Sequence, residues 1–269
     1  VSWGLSRLDE ILIEYDVGTA VLAFAHPDRA EFFGALDTCY EHGVAAKVHR
    51  DHVDVVLTSG GAEGELVDID LEPWDWQDHL MKRAFDLTFA GIALLVLSPL
   101  LVGIAVGIKL DGGGPIFYRQ TRTAAFGDTF TVAKFRTMVP ESEDAKPVDD
   151  TENNHITRFG RVLRRTHLDE IPQFLAILEG RMSVVGPRAA WVDEETLLEN
   201  QTDQWRRRWF VKPGLTGLAQ INDVTSTSPE SKIRYDIEYI RNQSFWFDLK
   251  IVLRQVWKVL ADVAELLRK

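Results

Sequence analysis

Cysteine is nearly absent from this 269-residue chain, where Cys39 stands alone. One thiol excludes an internal disulfide framework and any cysteine-rich metal site, and it points to a reducing compartment. No His/Cys cluster is present to hold zinc. The glycine-rich phosphate turn of a dinucleotide fold is missing, because Phe24 is followed by Ala25-His26-Pro27 rather than GxGxxG. That absence makes a nicotinamide-dependent oxidoreductase improbable. Nucleic acid is not an expected partner, since no basic stripe interleaved with aromatics occurs outside a single arginine cluster. No secretory signal opens the chain, which begins at Val1 and is expected to be a fragment or a processed product. From Leu87 to Ile108, finally, there is no charged residue at all.

The charge that is present is unevenly placed. Residues 1–80 carry 17 acidic and 4 basic side chains, whereas the remaining residues carry 24 and 26, so the net charge of −11 belongs to the front end. A salt-adapted surface or an acidic partner-facing domain would account for it. This front segment reads as α/β. Thr19 to Phe24 is an apolar strand, His26-Pro27-Asp28 signals a helix start, and a helical pattern runs through Tyr40 to a stop at Gly43. Val44 to Val48 is then a second strand, which makes a β-α-β unit of a parallel sheet. Residues 59–78, rich in glycine and acid, are expected to be a linker into a second domain.

The uncharged run is long enough, if helical, to cross a hydrocarbon core of about 30 Å. Ser98-Pro99 sits at its middle, and proline removes a donor and crowds the preceding turn. A kinked spanning helix and a re-entrant pair of half-helices are both compatible, and composition alone favours spanning. Lys82-Arg83 before the run and Lys109 after it allow a same-side return. Beyond it, Ile116 to Gln120 and Thr129 to Met138 read as extended pieces, Pro140 to Asn154 and Asn222 to Pro229 as surface loops, and helical patterns resume near Arg158. Phe245 to Leu267 is amphipathic, with Lys250, Arg254 and Lys258 at four-residue spacing and Trp246 and Trp257 nearby. Such a helix either lies in a membrane interface or packs on the core.

Between Arg158 and Arg188 six arginines face only Asp169, Glu170 and Glu179. That excess calls for an anionic partner, because guanidinium forks match phosphate oxygens in pairs. Thr166 is expected to cap a helix whose first turn holds Asp169 and Glu170, where amides and dipole favour anions. An aspartate kept ionised beside arginines can attack phosphorus, with Glu170 as base or metal ligand. Mg²⁺ held by the two carboxylates and substrate phosphates is the ion that suits such a site. Lys134 and Arg136 within Lys134-Phe135-Arg136-Thr137-Met138, and Arg188 after Gly186-Pro187, supply further cations. Pro213-Gly214-Leu215-Thr216-Gly217 offers glycines that would let backbone amides approach a ligand.

From Lys82 onward these motifs, taken in order, resemble the bacterial sugar transferase family, the monotopic polyprenyl-phosphate phosphoglycosyl transferases. The resemblance is carried by Lys82-Arg83-Ala84-Phe85-Asp86, the Ser98-Pro99-interrupted apolar run, Gly114 to Gln120, Lys134 to Met138, Leu168 to Gln173, Met182 to Arg188, Pro213 to Gln220 and Trp246 to Ile251. It departs at Thr123-Ala124, where the family usually has Val-Gly, and at His167, where it commonly has Ser. The resemblance implies transfer of a sugar-1-phosphate from a nucleotide sugar, with UDP the expected carrier, to an undecaprenyl or dolichyl phosphate, with Mg²⁺ and release of the nucleoside monophosphate. It implies Asp169 as the nucleophile of a covalent phosphosugar intermediate and Glu170 as its partner. Lys134, Arg164 and Arg188 fall where the family binds phosphate. Ser98 and Pro99 match its helix break, which turns the preference from spanning to re-entrant.

The expected architecture is therefore α/β: a partial Rossmann-like domain with its linker over residues 1–79, and a mainly helical, membrane-associated transferase domain over 80–269. Within the latter, 87–108 is the re-entrant membrane segment and 245–267 the interfacial helix. The expected location is the cytoplasmic face of the cell membrane, and a homodimer stays open. The competing expectation is a membrane-attached binding or scaffold module whose dyad is structural.

Overall fold

The computed structural model describes residues 7–58, 64–71, 76–139, 155–224 and 228–268. The expected loop from Pro140 to Asn154 lies outside the described residues. After a short helix α1 (Leu8–Glu14), the front segment has β1 (Thr19–Leu22), α2 (Phe32–Glu41) and β2 (Ala45–His49). β1 and β2 are parallel, in register from Thr19 with Ala45 to Leu22 with Val48. Gly43 adopts φ +65° where α2 turns into β2, a conformation that costs glycine little. The helix begins at Phe32, four residues beyond Asp28, whose carboxylate instead accepts the Glu31 amide in a turn at 2.7 Å.

The expected linker is only partly one. β3 (Leu66–Ile69) pairs antiparallel with β2, from His49 with Leu66 to Ala46 with Ile69, so the sheet order is β1-β2-β3. Its alternation of exposed Leu66 and Asp68 with buried Val67 and Ile69 is a strand pattern masked by the acidic composition around it. The core of this unit continues into the rest of the chain. Phe33 meets the Trp209 ring edge-on at 4.8 Å, and Phe126 packs against Tyr40 and Phe210.

α3 (Trp76–Asp111) is a 36-residue helix, about 54 Å of rise at 1.5 Å per residue. It is long and apolar enough to cross a membrane, with an 18-residue window of mean hydropathy 2.5. Pro99 lies inside it, and helix is assigned on both sides without interruption. A proline at 99 leaves the carbonyl of Leu95 without its usual donor; the Ser98 hydroxyl takes that place at 2.8 Å. Leu95, Val96, Leu100 and Val102 are exposed around this point.

Both ends of α3 are fastened to the same body. At its start, Lys82 donates to Asp248 at 2.6 Å and to the Val185 carbonyl at 2.7 Å. Asp86 accepts from the Ser183 hydroxyl and the Val184 amide at 2.9 and 2.8 Å. Arg83 donates to the carbonyls of Ile177 and Leu178, which end a short helix, Phe174–Leu178. At the far end Ile104 and Ile108 form a buried cluster with Phe135 and Leu163. Gly107 faces the Phe159 ring so closely that a Cβ there would stand 2.7 Å from it.

The remaining elements are β4 (Phe117–Thr123), β5 (Thr129–Phe135), α4 (Arg158–Arg165), α5 (Phe174–Leu178), β6 (Ser183–Val185), α6 (Val192–Glu199), β7 (Gly214–Thr216), α7 (Leu218–Ile221), α8 (Pro229–Asn242) and α9 (Phe245–Arg268). β4 and β5 form an antiparallel hairpin that places Tyr118 opposite Lys134. At its tip, where Thr123-Ala124 departs from the family pattern, Phe126 takes φ +48° and is buried. α9 packs on the core through buried Ile251 and Val252, while Trp246, Leu253 and Trp257 are exposed.

β6 and β7 are parallel, with Ser183 beside Gly214 and Val185 beside Thr216. Gly214 and Gly217, the glycines expected to approach a ligand, both pack against the Gly186 backbone: a Cβ on Gly214 would lie 2.1 Å from the Gly186 amide nitrogen and 2.5 Å from the Thr216 carbonyl oxygen. Backbone cannot yield as a side-chain tip does. Gly214→Ala is therefore expected to cost about 3 kcal/mol through separation of the strands, checked by thermal melting. A variant that melts with the wild type would disprove this tight contact.

Candidate active site

The dyad sits at a turn that the chain makes in two steps. α4 starts with the Thr157 hydroxyl accepting the Gly160 amide at 3.0 Å. It ends at Thr166, whose hydroxyl turns back to the carbonyls of Val162 and Leu163 at 2.8 and 3.1 Å. Thr166 thus closes the preceding helix instead of opening the next one, as the sequence had suggested. His167 then takes φ +55°, a left-handed conformation that histidine adopts more readily than most residues, and the chain enters a 3-10 segment, Leu168–Gln173. Asp169 and Glu170 occupy its first turn, and Pro172 sits farther along. The helical N-terminus is real, one residue later than Thr166 would have set it.

The two carboxylates have different surroundings. Glu170 lies between two cations, accepting from Lys134 Nζ at 2.7 Å and from both Arg188 terminal nitrogens, the Nη1 contact at 3.2 Å. Burial would raise its pKa, but Arg188 and Lys134 together outweigh that and hold it well below the usual range. Asp169, only 8% exposed, has no hydrogen-bond partner for its carboxylate among the described residues. Burial, with Glu170 as the second cause, raises its pKa to about 6 against the opposing pull of Lys134, Arg164 and His167. The pair is thus split into a clamped anion and a poised one.

The predicted phosphate-binding residues divide. Lys134 and Arg188 meet at Glu170, and Arg188 keeps 35% of its side chain exposed, enough to take a ligand. Arg164 donates to the Thr137 hydroxyl at 2.9 Å and lies near enough to Asp169 to lower its pKa. Arg136 is committed elsewhere: its guanidinium donates to the carbonyls of Gly113 and Gly112 at 2.6 and 2.8 Å and ties down the turn after α3. Arg122, which the sequence did not single out, lies within electrostatic reach of Arg188 and Glu170. Arg122 donates to the Ala189 carbonyl and the Gln120 side chain, and burial with Arg188 nearby lowers its pKa to about 10. The missed signal was period two along β4, which puts Arg122 on the face of Gln120 and Tyr118, opposite Lys134. Of the other arginines in the cluster, Arg158, Arg161 and Arg165 are exposed, and Arg181 pairs with Glu179 at the surface.

Behind Arg188 lies a buried polar network. Glu195 accepts from the indole nitrogens of Trp205 and Trp209 at 2.8 and 2.6 Å, and Arg208 lies 3.1 Å from Asp236. Burial, with Arg208 next, lowers the Lys232 pKa to about 8.

As a metal site the dyad fits only in part. Both Glu170 oxygens are occupied by cations, and among the described residues no group of three His, Cys, Asp or Glu side chains converges. Among the described residues, Asp169 is the one carboxylate of the pair without a cation bonded to it. A Mg²⁺ here would rest on phosphate oxygens of a ligand with this single side chain, the arrangement usual for phosphate-borne Mg²⁺.

Comparison with known proteins identifies the family. The family described as bacterial sugar transferase matches residues 77–262. The chain is 41% identical over 198 residues to the UDP-glucose:undecaprenyl-phosphate glucose-1-phosphate transferase of Escherichia coli (strain K12), covering 71% of this chain and 43% of that protein. The enzyme of the same name from Xanthomonas campestris pv. campestris is 40% identical over 188 residues, with 67% and 39% covered. An uncharacterized sugar transferase, EpsL, of Bacillus subtilis (strain 168) is 40% identical over 183 residues, with 68% and 89% covered. The chain spans about two fifths of the length of the first two relatives. The chain belongs to the bacterial sugar transferase family.

Proposed function

We propose that this protein transfers a sugar-1-phosphate from a nucleotide sugar to a polyprenyl phosphate, with UDP-glucose and undecaprenyl phosphate, named for its relatives, as the first substrates to test. The observation that carries this reading is the unequal pair: a buried Asp169 with no bonded partner among the described residues, beside a Glu170 clamped by Lys134 and Arg188. In the first step an Asp169 oxygen bonds to the sugar-bearing phosphorus. The bond from that phosphorus to the bridging oxygen breaks, and its electron pair leaves with the nucleoside monophosphate. In the second step an oxygen of the polyprenyl phosphate bonds to the same phosphorus and the Asp169 carboxylate departs. No net proton transfer is needed. Arg188, Lys134, Arg122 and Arg164 supply positive charge around the phosphates, and Glu170 holds the first two in position. Bound Mg²⁺ would contribute neutralisation of diphosphate charge.

The membrane arrangement belongs to the same proposal. A helix whose two ends are fastened to one body, with exposed apolar residues around Ser98-Pro99 between them, suits a re-entrant segment entering from the cytoplasmic face. α9, with Trp246 and Trp257 exposed beside Lys250 and Arg254, suits the interface.

Incubating the protein with nucleotide sugar labelled in the sugar, with Mg²⁺ and without lipid, should leave label on Asp169. An unlabelled wild type, or equal labelling of Asp169→Asn, would refute the covalent route. Since Asp169 must be ionised to attack, labelling should rise with pH through about 6, as its raised pKa requires.

A further inference from the structure

Three consecutive arginines in the 3-10 segment Asp203–Phe210 reach in different directions. Arg206 donates to the Pro27 carbonyl and pairs with Glu199 at 3.2 Å, and Glu199 also holds Arg29. Arg207 donates to the Val53 carbonyl at 3.1 Å. Pro27, Arg29 and Val53 all belong to the front α/β unit. Arg208 turns the other way, donating to the main-chain carbonyl of Arg188 at 2.5 Å. It is 4% exposed, between Asp236 and Glu195, with its guanidinium 4.2 Å from the centre of the Trp205 ring. Glu195 is held in turn by the indole of Trp209, the ring against which Phe33 of the front unit packs.

A buried arginine among carboxylates is poor evidence for stability, since apolar residues of like volume often serve as well. Its one hydrogen bond toward the dyad falls on the backbone of a phosphate-binding candidate. We infer that Arg208 is a positioning residue for Arg188, and that the front unit, by gripping the flanking Arg206 and Arg207, sets how firmly Arg188 is held for a diphosphate. This rests on the transferase reading only in taking Arg188 as a phosphate ligand. The acidic front unit thereby becomes part of the active-site support.

The test is calorimetric titration of the full chain in detergent with UDP, and with inorganic pyrophosphate as a second probe, alongside thermal melts. Arg208→Gln should weaken UDP about tenfold at unchanged stoichiometry, and Arg208→Lys should recover part of the loss, a rescue that bulk packing would not produce. Arg206→Ala and Glu199→Gln, which loosen the grip from the far side, should each weaken UDP three- to fivefold. They decide the matter if Arg208→Gln fails to fold. Wild-type affinity in folded Arg208→Gln, or in both outer variants, overturns the inference while leaving the transferase reading intact. A wild type that binds neither probe overturns both.

Discussion

Asp169→Asn will abolish turnover and raise the melting temperature. The folded state holds this carboxyl at about 6 through burial and the neighbouring Glu170, against an ordinary value of about 4. A carboxyl whose pKa is raised by folding binds its proton more tightly in the native state than in the unfolded one. Its ionisation is therefore unfavourable to the fold: stability declines as pH rises from about 4 to about 6, and the full penalty stands above that. Asparagine keeps the shape and carries no charge. At pH 8 the variant should gain on the order of 1–3 kcal/mol, a rise of several degrees in melting temperature, and at pH 4 the gain should vanish. Turnover should fall by roughly 10⁴-fold or more, the scale on which a covalent nucleophile is lost. Function here opposes stability at one residue. The argument fails if the variant melts below the wild type at pH 8, or gains equally at pH 4 and pH 8.

Much of this was legible in the chain. The β-α-β unit, the apolar helix and the order of motifs follow from short-range pattern, and the structure has the pattern elements close to where periodicity set them. What escaped was long-range partnership. Nothing local in Lys134-Phe135-Arg136 says that Lys134 turns to Glu170 while Arg136 turns to the carbonyls of Gly112 and Gly113. The strand ends at Phe135, so the two cations do not share one regular strand face. Thr166 misled for a related reason: a threonine before an acidic pair has the composition of an N-cap, but the left-handed His167 makes it the last residue of the helix before. That position also gives a partial account of histidine in place of the usual serine. Lys82, Arg83 and Asp86 illustrate the reverse case, where a recognisable motif acquired its physical meaning only from contacts about a hundred residues away.

Glu170→Gln should show what the clamp contributes. Glutamine retains the outline of the side chain but leaves the largely buried Lys134 and the partly exposed Arg188 beside each other, with Arg122 close by, without a neutralising carboxylate. Removing one partner of a buried ion pair costs about 3–5 kcal/mol, because the remaining charge is left uncompensated. The same change withdraws the second-largest cause of the raised Asp169 pKa, so the acid limb of kcat/KM should move below pH 6. A nucleophile that is ionised more fully at low pH would, on charge alone, react faster there. The expected result is nevertheless a fall in kcat of about 10²–10³-fold, since mispositioning of phosphate-holding groups outweighs a gain in ionised fraction that is already nearly complete at neutral pH. A diphosphate ligand should partly replace the missing carboxylate, so UDP should raise the melting temperature of Glu170→Gln by more degrees than that of the wild type. If the variant keeps wild-type kcat, or if UDP stabilises it no more than the wild type, Glu170 is not the residue that holds Lys134 and Arg188 for the substrate, and the division of labour between the two carboxylates must be drawn differently.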